Sequence, residues 1–335
     1  MGEIIKGIDC GDNVKEITTD EDCRILQMEN ETGEGTMTIY EVFPGAVLVY
    51  NDFHMAYCKS KFQANNIDIF CIDHCREGSM EYNLNNDFCY YFEAGDLVVD
   101  NRQNHAGLVK YPLKHFHGIS IGFYLPQADE QLAKEIKDFS VSLYALQEKF
   151  YGHCPYIIKA SAEIERIFSD LYRVPAKIKK EYFRIKVLEL LLYLDALEFD
   201  EQKKDKPYFY KTQVEKIKAI HKLMTEDLTK HYTIEELARR FDMSQATLKK
   251  CFKAVYGSPV KRFMQDYRVN TATTMLLWEK EKSIAEIAGL VGYDSPSKFS
   301  AVFKKIVGFT PLDYRKRHES YYLKKGGRYE KEINN

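Results

Sequence analysis

Ten side chains near the end of this 335-residue sequence fall in two short segments that repeat one pattern: Gln245, Ala246, Lys249, Lys250 and Lys253 in the first, and Ser297, Ser300, Ala301, Lys304 and Lys305 in the second. Lysine ammonium groups neutralise phosphate and reach the acceptor edge of guanine. Side chains at the start of a helix lying in a groove meet base edges. Gathered on one exposed helix face, residues of these types supply the chemistry of duplex DNA recognition. A single exposed lysine is ordinarily a solvated charge, so the recurrence at corresponding positions is what makes the set informative.

The elements that must position these residues are written twice. From Thr233 the chain reads TIEELARRFDMSQATLKKCFKAVYGSP, and from Ser283 it reads SIAEIAGLVGYDSPSKFSAVFKKIVGFTP. Ile234, Ala238, Leu248, Phe252 and Gly257 recur as Ile284, Ala288, Phe299, Phe303 and Gly308, offset by 50 residues before the turn and 51 after it. Thr233 with Glu236, and Ser283 with Glu286, have capping-box spacing, in which hydroxyl and carboxylate satisfy orphan N–H groups at a helix start. Asp242-Met243 and Gly292-Tyr293-Asp294 read as turns. Ser244 and Ser295 then cap second helices, with Pro296 at the first helical position, where proline is tolerated. Leu248, Phe252 and Val255 form the buried stripe of one recognition helix; Phe299, Val302, Phe303 and Ile306 form the other. Residues 259–278 predict one long helix with Phe263, Tyr267, Ala272, Met275 and Leu276 on its buried side. About 20 residues rising ~1.5 Å each span ~30 Å, close to the ~34 Å repeat of B-DNA. Both recognition helices could then enter successive major grooves on one face.

Charge supports that partner. Residues 211–335 carry 25 Lys+Arg against 15 Asp+Glu, a balance of +10, and residues 1–210 carry 23 against 35, or −12, which together give the net −2. A basic C-terminal part suits a polyanion and an acidic N-terminal part does not. No apolar run reaches the roughly 18 residues of a membrane span, and no stretch has a signal-peptide layout. Eight scattered cysteines in a chain of this size read as reduced thiols, so a cytoplasmic protein without a membrane partner is expected.

The remaining organisation predicts an α+β protein. Residues 1–36 read as an arm and first strands. Residues 37–125 are short runs rich in Ile, Val, Tyr and Phe between Gly, Asn and Asp turns, the texture of a jelly-roll barrel. Inward positions there, Tyr40, Phe53, Met55, Tyr57, Ile69, Tyr82 and Tyr90, could line a pocket for a planar or apolar effector, or simply fill a core. Residues 126–200 turn helical. Leu132, Ile136, Phe139, Leu143, Leu146 and Phe150 are spaced as a heptad stripe; it could pack on the strand domain or form a homodimer seam. The charged segment 201–211 reads as a linker, 212–318 as an all-α domain of two helix-turn-helix units joined by a long helix, and 319–335 as a basic, flexible tail.

The stretch SIAEIAGLVGYDSPSKFSAVFKKIVGFTPLDYRKR resembles the signature of AraC/XylS-type transcription regulators. Ile284, Ile287, Ala288, Gly292, Tyr293, Ser295, Ser297, Phe299, Ser300, Phe303, Lys304, Gly308, Thr310, Pro311, Tyr314 and Arg315 all fit it. The resemblance covers about residues 212–318. It implies promoter binding by the double helix-turn-helix domain, usually activation of transcription with RNA polymerase as partner, a cupin-like N-terminal sensor and dimerisation through the helices that follow. The phrase Ala94-Gly95-Asp96-Leu97-Val98-Val99 is similar to a strand start of such barrels. One departure is Ala301, where many members carry an Arg that contacts the duplex, so readout would rest mainly on the first recognition helix.

Catalytic and metal chemistry are not expected. His115 and His117 form an H-x-H pair, but no carboxylate ligand follows them, and two imidazoles alone make a poor closed site. Cys71, His74 and Cys75 are soft ligands, yet on a strand residues 71 and 75 share a face while 74 points away. No nucleophile elbow, P-loop or dinucleotide fingerprint occurs. The expected protein is a non-enzymatic regulator with no cofactor. Its rivals are a metal-dependent cupin enzyme fused to a DNA-binding domain, and a regulator whose N-terminal domain binds a protein partner.

Overall fold

Short apolar-polar alternations interrupted by turn residues fold as strands, because successive side chains of a strand point to opposite faces of the sheet. The computed structural model describes residues 14–19, 23–60, 68–83, 87–101, 107–135, 139–150, 155–198 and 209–317. Outside the described residues lie the first part of the predicted arm, Ile136, most of the predicted linker, the predicted tail and the side chain of Tyr82. The chain divides into two compact units, Met1–Lys211 and Thr212–Asn335.

Unit 1 contains β1 (Val14–Thr19), β2 (Arg24–Asn30), β3 (Gly33–Phe43), β4 (Ala46–His54), β5 (Tyr57–Ser60), β6 (Ile69–Asn83), β7 (Phe88–Glu93), β8 (Leu97–Asp100), β9 (Gly107–Lys110) and β10 (Phe116–Tyr124). Helices α1 (Leu125–Glu135) and α2 (Leu143–Phe150), strand β11 (Tyr156–Ile158), helices α3 (Ala162–Leu171) and α4 (Lys179–Asp195), and strand β12 (Phe209–Tyr210) follow. The strands form one curled antiparallel sheet ordered β1-β2-β3-β4-β10-β6-β7-β12, with β8-β11 and β9-β5 branching from β6. Strand β6, 15 residues long, makes the curl possible. Its first half pairs with β10 and β8, its second half with β7 and β9. Gly78 marks the change of direction at φ +90°, where an added Cβ would lie 2.2 Å from the His115 carbonyl oxygen.

The two sheet faces bury different cores. On one, Leu48, Ile72, Ile119 and Ile121 pack against Leu132, Leu143, Phe150, Phe168, Val187 and Leu191 of the four helices. On the other, Phe53, Met55, Cys75, Phe92 and Phe116 pack together. Hydrogen bonds fix the helices to the sheet: the Tyr50 hydroxyl donates to the Leu171 carbonyl at 2.6 Å, and Arg184 Nε donates to the Val42 carbonyl at 2.9 Å.

Three expectations need correction. The heptad stripe is not one helix and not a surface: residues 139–142 are non-helical. Leu132, Leu143, Leu146 and Phe150 are buried in unit 1's own core, with Phe139 packed against it. The same spacing arises from two short helices on one sheet face. The region read as wholly helical also contributes β11, which pairs with β8. Within the predicted linker, Phe209 and Tyr210 pair with β7.

The pocket residues also divide. Tyr40 pairs with Leu48 on the helix-covered face, whereas Phe53 and Met55 belong to the opposite core. Tyr57 directs its hydroxyl to Glu31, Tyr90 is buried and Ile69 is half-buried. These side chains do not converge on one cavity.

His74 and Cys75 point to opposite faces, as strand geometry requires. His74 is 2% exposed and stacks on Phe168 with ring centroids 4.1 Å apart. Neither of its ring nitrogens has a hydrogen-bond partner among the described residues. Burial pushes its pKa down from 6.5 to about 4. Between those values the unfolded chain binds a proton that the folded chain refuses, so stability falls as pH drops through the window. The full loss is of order 3 kcal/mol. His74→Phe keeps the ring stack and removes the proton. Urea midpoints measured from pH 7 to pH 4 should therefore fall less steeply in the variant. Identical slopes would exclude His74 as the cause.

Candidate nucleic-acid interface

Unit 2 is built from α5 (Lys211–Glu226), α6 (Ile234–Arg240), α7 (Gln245–Tyr256), α8 (Val260–Trp278), α9 (Ile284–Leu290) and α10 (Pro296–Val307), with residues 311–317 also helical. Both capping boxes are formed. Thr233 Oγ1 accepts from the Glu236 N–H at 3.1 Å while the Glu236 carboxylate accepts from the Thr233 N–H at 2.7 Å. Ser283 and Glu286 repeat both distances. The backbone N–H bond holds each of these carboxyls below its usual range. Ser244 and Ser295 cap α7 and α10 by accepting from Thr247 and Lys298 N–H groups. Both helices stop at a left-handed glycine, Gly257 at φ 72° and Gly308 at φ 87°, a conformation that glycine adopts without steric cost.

Burial follows the repeat. Leu248, Phe252 and Val255 of α7 are fully buried, as are Phe299 and Phe303 of α10, while Val302 and Ile306 are half-buried. Along α8, Ala272 and Leu276 are buried as expected, Phe263 and Met275 are half-buried, and Tyr267 is 36% exposed. Val269, which the sequence reading passed over, is fully buried beside them.

Burying those stripes turns the opposite faces outward. Gln245, Ala246, Lys249, Lys250 and Lys253 are all exposed on α7. On α10, Ser297, Ala301, Lys304 and Lys305 are exposed and Ser300 is half-buried. Lys298, in the first turn of α10, is also exposed and joins this face; its position at the start of the helix was the available signal. Neither helix contains an acidic residue. Elsewhere in unit 2 cations pair locally, as in Lys218–Glu215, Lys230–Asp227, Arg262–Asp266 and Lys282–Glu279. Lys249, Lys250, Lys253, Lys298, Lys304 and Lys305 make no ion pair among the described residues. Six unpaired ammonium groups on two helices give a field directed at an external anion.

A polar hub joins the two repeats. Arg268 of α8 donates to the Lys230 carbonyl at 3.1 Å and lies 3.2 Å from His231 Nδ1. His231 Nε2 lies 2.9 Å from the Gly292 carbonyl, in the second repeat's turn. The C-terminal signature residues also have structural work. Tyr314 packs edge-on against Phe303 at 5.6 Å, Thr310 accepts from the Asp313 N–H, and Arg315 Nε donates to the Leu276 carbonyl of α8.

The helix-turn-helix domain family matches residues 237–317. The HTH-type transcriptional activator RhaR of Mannheimia succiniciproducens is 23% identical over 155 residues, covering 46% of this chain and 55% of that one. A protein of Streptomyces lividans described as an AraC-like transcription regulator is 36% identical over 90 residues, covering 27% of this chain and 29% of that one. The chain thus spans just over half of the first relative's length and under a third of the second's. Among solved structures, the C-terminal domain of the two-component response regulator yesN from Fusobacterium nucleatum is 31% identical, with a TM-score of 0.27, covering 30% of this chain and 95% of that one.

Two glycines in the second repeat should respond oppositely to alanine. Gly292 has φ +83°, and a Cβ there would lie 2.0 Å from the Leu228 carbonyl oxygen, so Gly292→Ala should destabilise unit 2 by more than about 1 kcal/mol. Gly289 lies within α9 with nothing within 4 Å of an added Cβ, so Gly289→Ala should stabilise by about 0.5–1 kcal/mol. Thermal melts of the two variants check both signs.

Proposed function

Because unit 2 belongs to the AraC family of helix-turn-helix regulators, we propose that the whole chain is a cytoplasmic one-component transcription regulator, an activator by class. It binds promoter DNA sequence-specifically through α7 and α10 and engages RNA polymerase. The observation that carries this reading is the pair of acid-free recognition helices with six unpaired lysines. Helix α8, at 19 residues, is about 28 Å long at ~1.5 Å per residue, near the groove repeat that two tandem readers must match. Lys250 and Ala301 occupy the same place in the two copies, at the centre of the outward face. The first helix therefore carries more of the sequence readout.

Unit 1 is the sensor in this reading. Its curled sheet serves as a cupin-like support, and a small-molecule effector acts by differential affinity for two arrangements of the regulator. The regulator works as a homodimer, and the seam moves from the buried stripe to α4. Ile178, Ile185 and Leu192 recur every seven residues and are 46%, 60% and 46% exposed. That spacing is a coiled-coil stripe, running from the residue before α4 along the helix, and exposed among the described residues.

Two experiments test these assignments. With a DNA site selected from random sequence by the full chain, Lys250→Ala should weaken binding by roughly 1–3 kcal/mol and Ala301→Arg should strengthen it. Unchanged affinity in both would remove these positions from the interface. In sedimentation equilibrium the parent should be dimeric and Ile185→Glu monomeric; a dimeric variant would exclude α4 as the seam.

A further inference from the structure

The H-x-H pair at the start of β10, of which His117 lies on the strand, lacks a carboxylate downstream in sequence, but the sheet supplies one from the neighbouring strand. Asp52 of β4 is the direct register partner of His117, and His54, two residues on, shares its face. Both imidazoles approach the same carboxylate oxygen: His54 Nε2 lies 3.0 Å from Asp52 Oδ1, and His117 Nδ1 lies 3.3 Å from it. All three ligand atoms fall within 4.8 Å of one another. Two ligands each ~2.1 Å from a tetrahedral ion are ~3.4 Å apart, so the existing spacing nearly matches that around one metal ion.

We propose that unit 1 binds one divalent transition-metal ion, of the zinc or nickel class, at Asp52, His54 and His117. Two imidazoles and one carboxylate suit borderline cations. Calcium and magnesium prefer all-oxygen shells, and soft copper(I) prefers thiolate. The side chains are 52%, 59% and 29% exposed, so an ion enters directly from solvent and keeps positions open for water or a further ligand. The register sets Glu34 opposite His54 and Glu77 opposite His117, adding negative potential that favours a cation. Arg76, 3.6 Å from Glu77, offsets part of it. Cys71 and Cys75 face the other side of the sheet and are buried, so their thiols do not contribute. The site is a property of unit 1 and does not depend on the regulatory reading.

The test is a cobalt(II) titration of the untagged full chain followed by absorbance, paired with zinc calorimetry. The expected result is one ion per chain, with weak ligand-field bands and no thiolate-to-cobalt charge-transfer band. Asp52→Asn and His117→Ala should each weaken binding by about tenfold or more. Both substitutions are at the sheet surface, and matching metal-free melts confirm that the fold is kept. A thiolate band would place the ion on cysteine and overturn the assignment. So would affinity unchanged in both variants, or no binding at millimolar ion.

Discussion

Arg268 ties the two helix-turn-helix repeats to each other. Arg268 projects from the long helix α8 to the loop before the first repeat, and His231 of that loop reaches the turn of the second. The geometry fixes the imidazole tautomer. Nε2–H donates to the Gly292 carbonyl, which leaves Nδ1 as acceptor for the guanidinium. Gly292 must be glycine for two reasons at once: its backbone is left-handed, and the Leu228 carbonyl occupies the space a side chain would need. Leu228 then joins the apolar cluster of the second repeat. This wedge adds a second link between the repeats beside α8, and a tandem reader needs both helices at a set spacing and angle.

An analogous constraint organises unit 1. Strand β6 is shared by two groups of strands, and the change of direction at Gly78 lets one strand serve both. Because the helices cover only part of one face, the line of residues along β4 changes character. Leu48 is buried and Tyr50 lies against the helices, while Asp52 and His54 stand beyond them. A single strand thus supplies core, helix anchor and polar surface in succession, a consequence of fixed face alternation under a cover of limited width.

What could be read from the sequence depended on whether the signal was local. Caps, turns and left-handed glycines are decided within four or five residues, so both repeats and their outward lysines were legible in the sequence. The stripe from Leu132 to Phe150 was ambiguous because helical spacing records which side is buried, and not by what. The pocket reading failed at the β3–β4 hairpin. A register shift between Glu41 and Phe43 breaks a simple alternation, and Tyr40 and Phe53 finish on opposite faces. Asp52 could not be joined to His117 because pairing between strands 65 positions apart leaves no mark in either segment.

The two repeats agree where packing decides and differ where it does not. Leu248 and Phe299, or Phe252 and Phe303, fill equivalent buried places, where a change of volume is felt at once by close-packed neighbours. Outward positions bear no such constraint: Ala246 corresponds to Ser297, Lys249 to Ser300 and Lys250 to Ala301 in the repeat. Only the lysine at 253 and 304 is kept among these pairs, at the third turn of each helix. A cation shared at that depth suits contact with the uniform phosphate backbone. The divergent residues nearer each N-terminus suit base edges, which differ between one half-site and the next. The duplication therefore combines one shared cation with outward residues that differ between the copies, the pattern that the proposed reading of two half-sites requires.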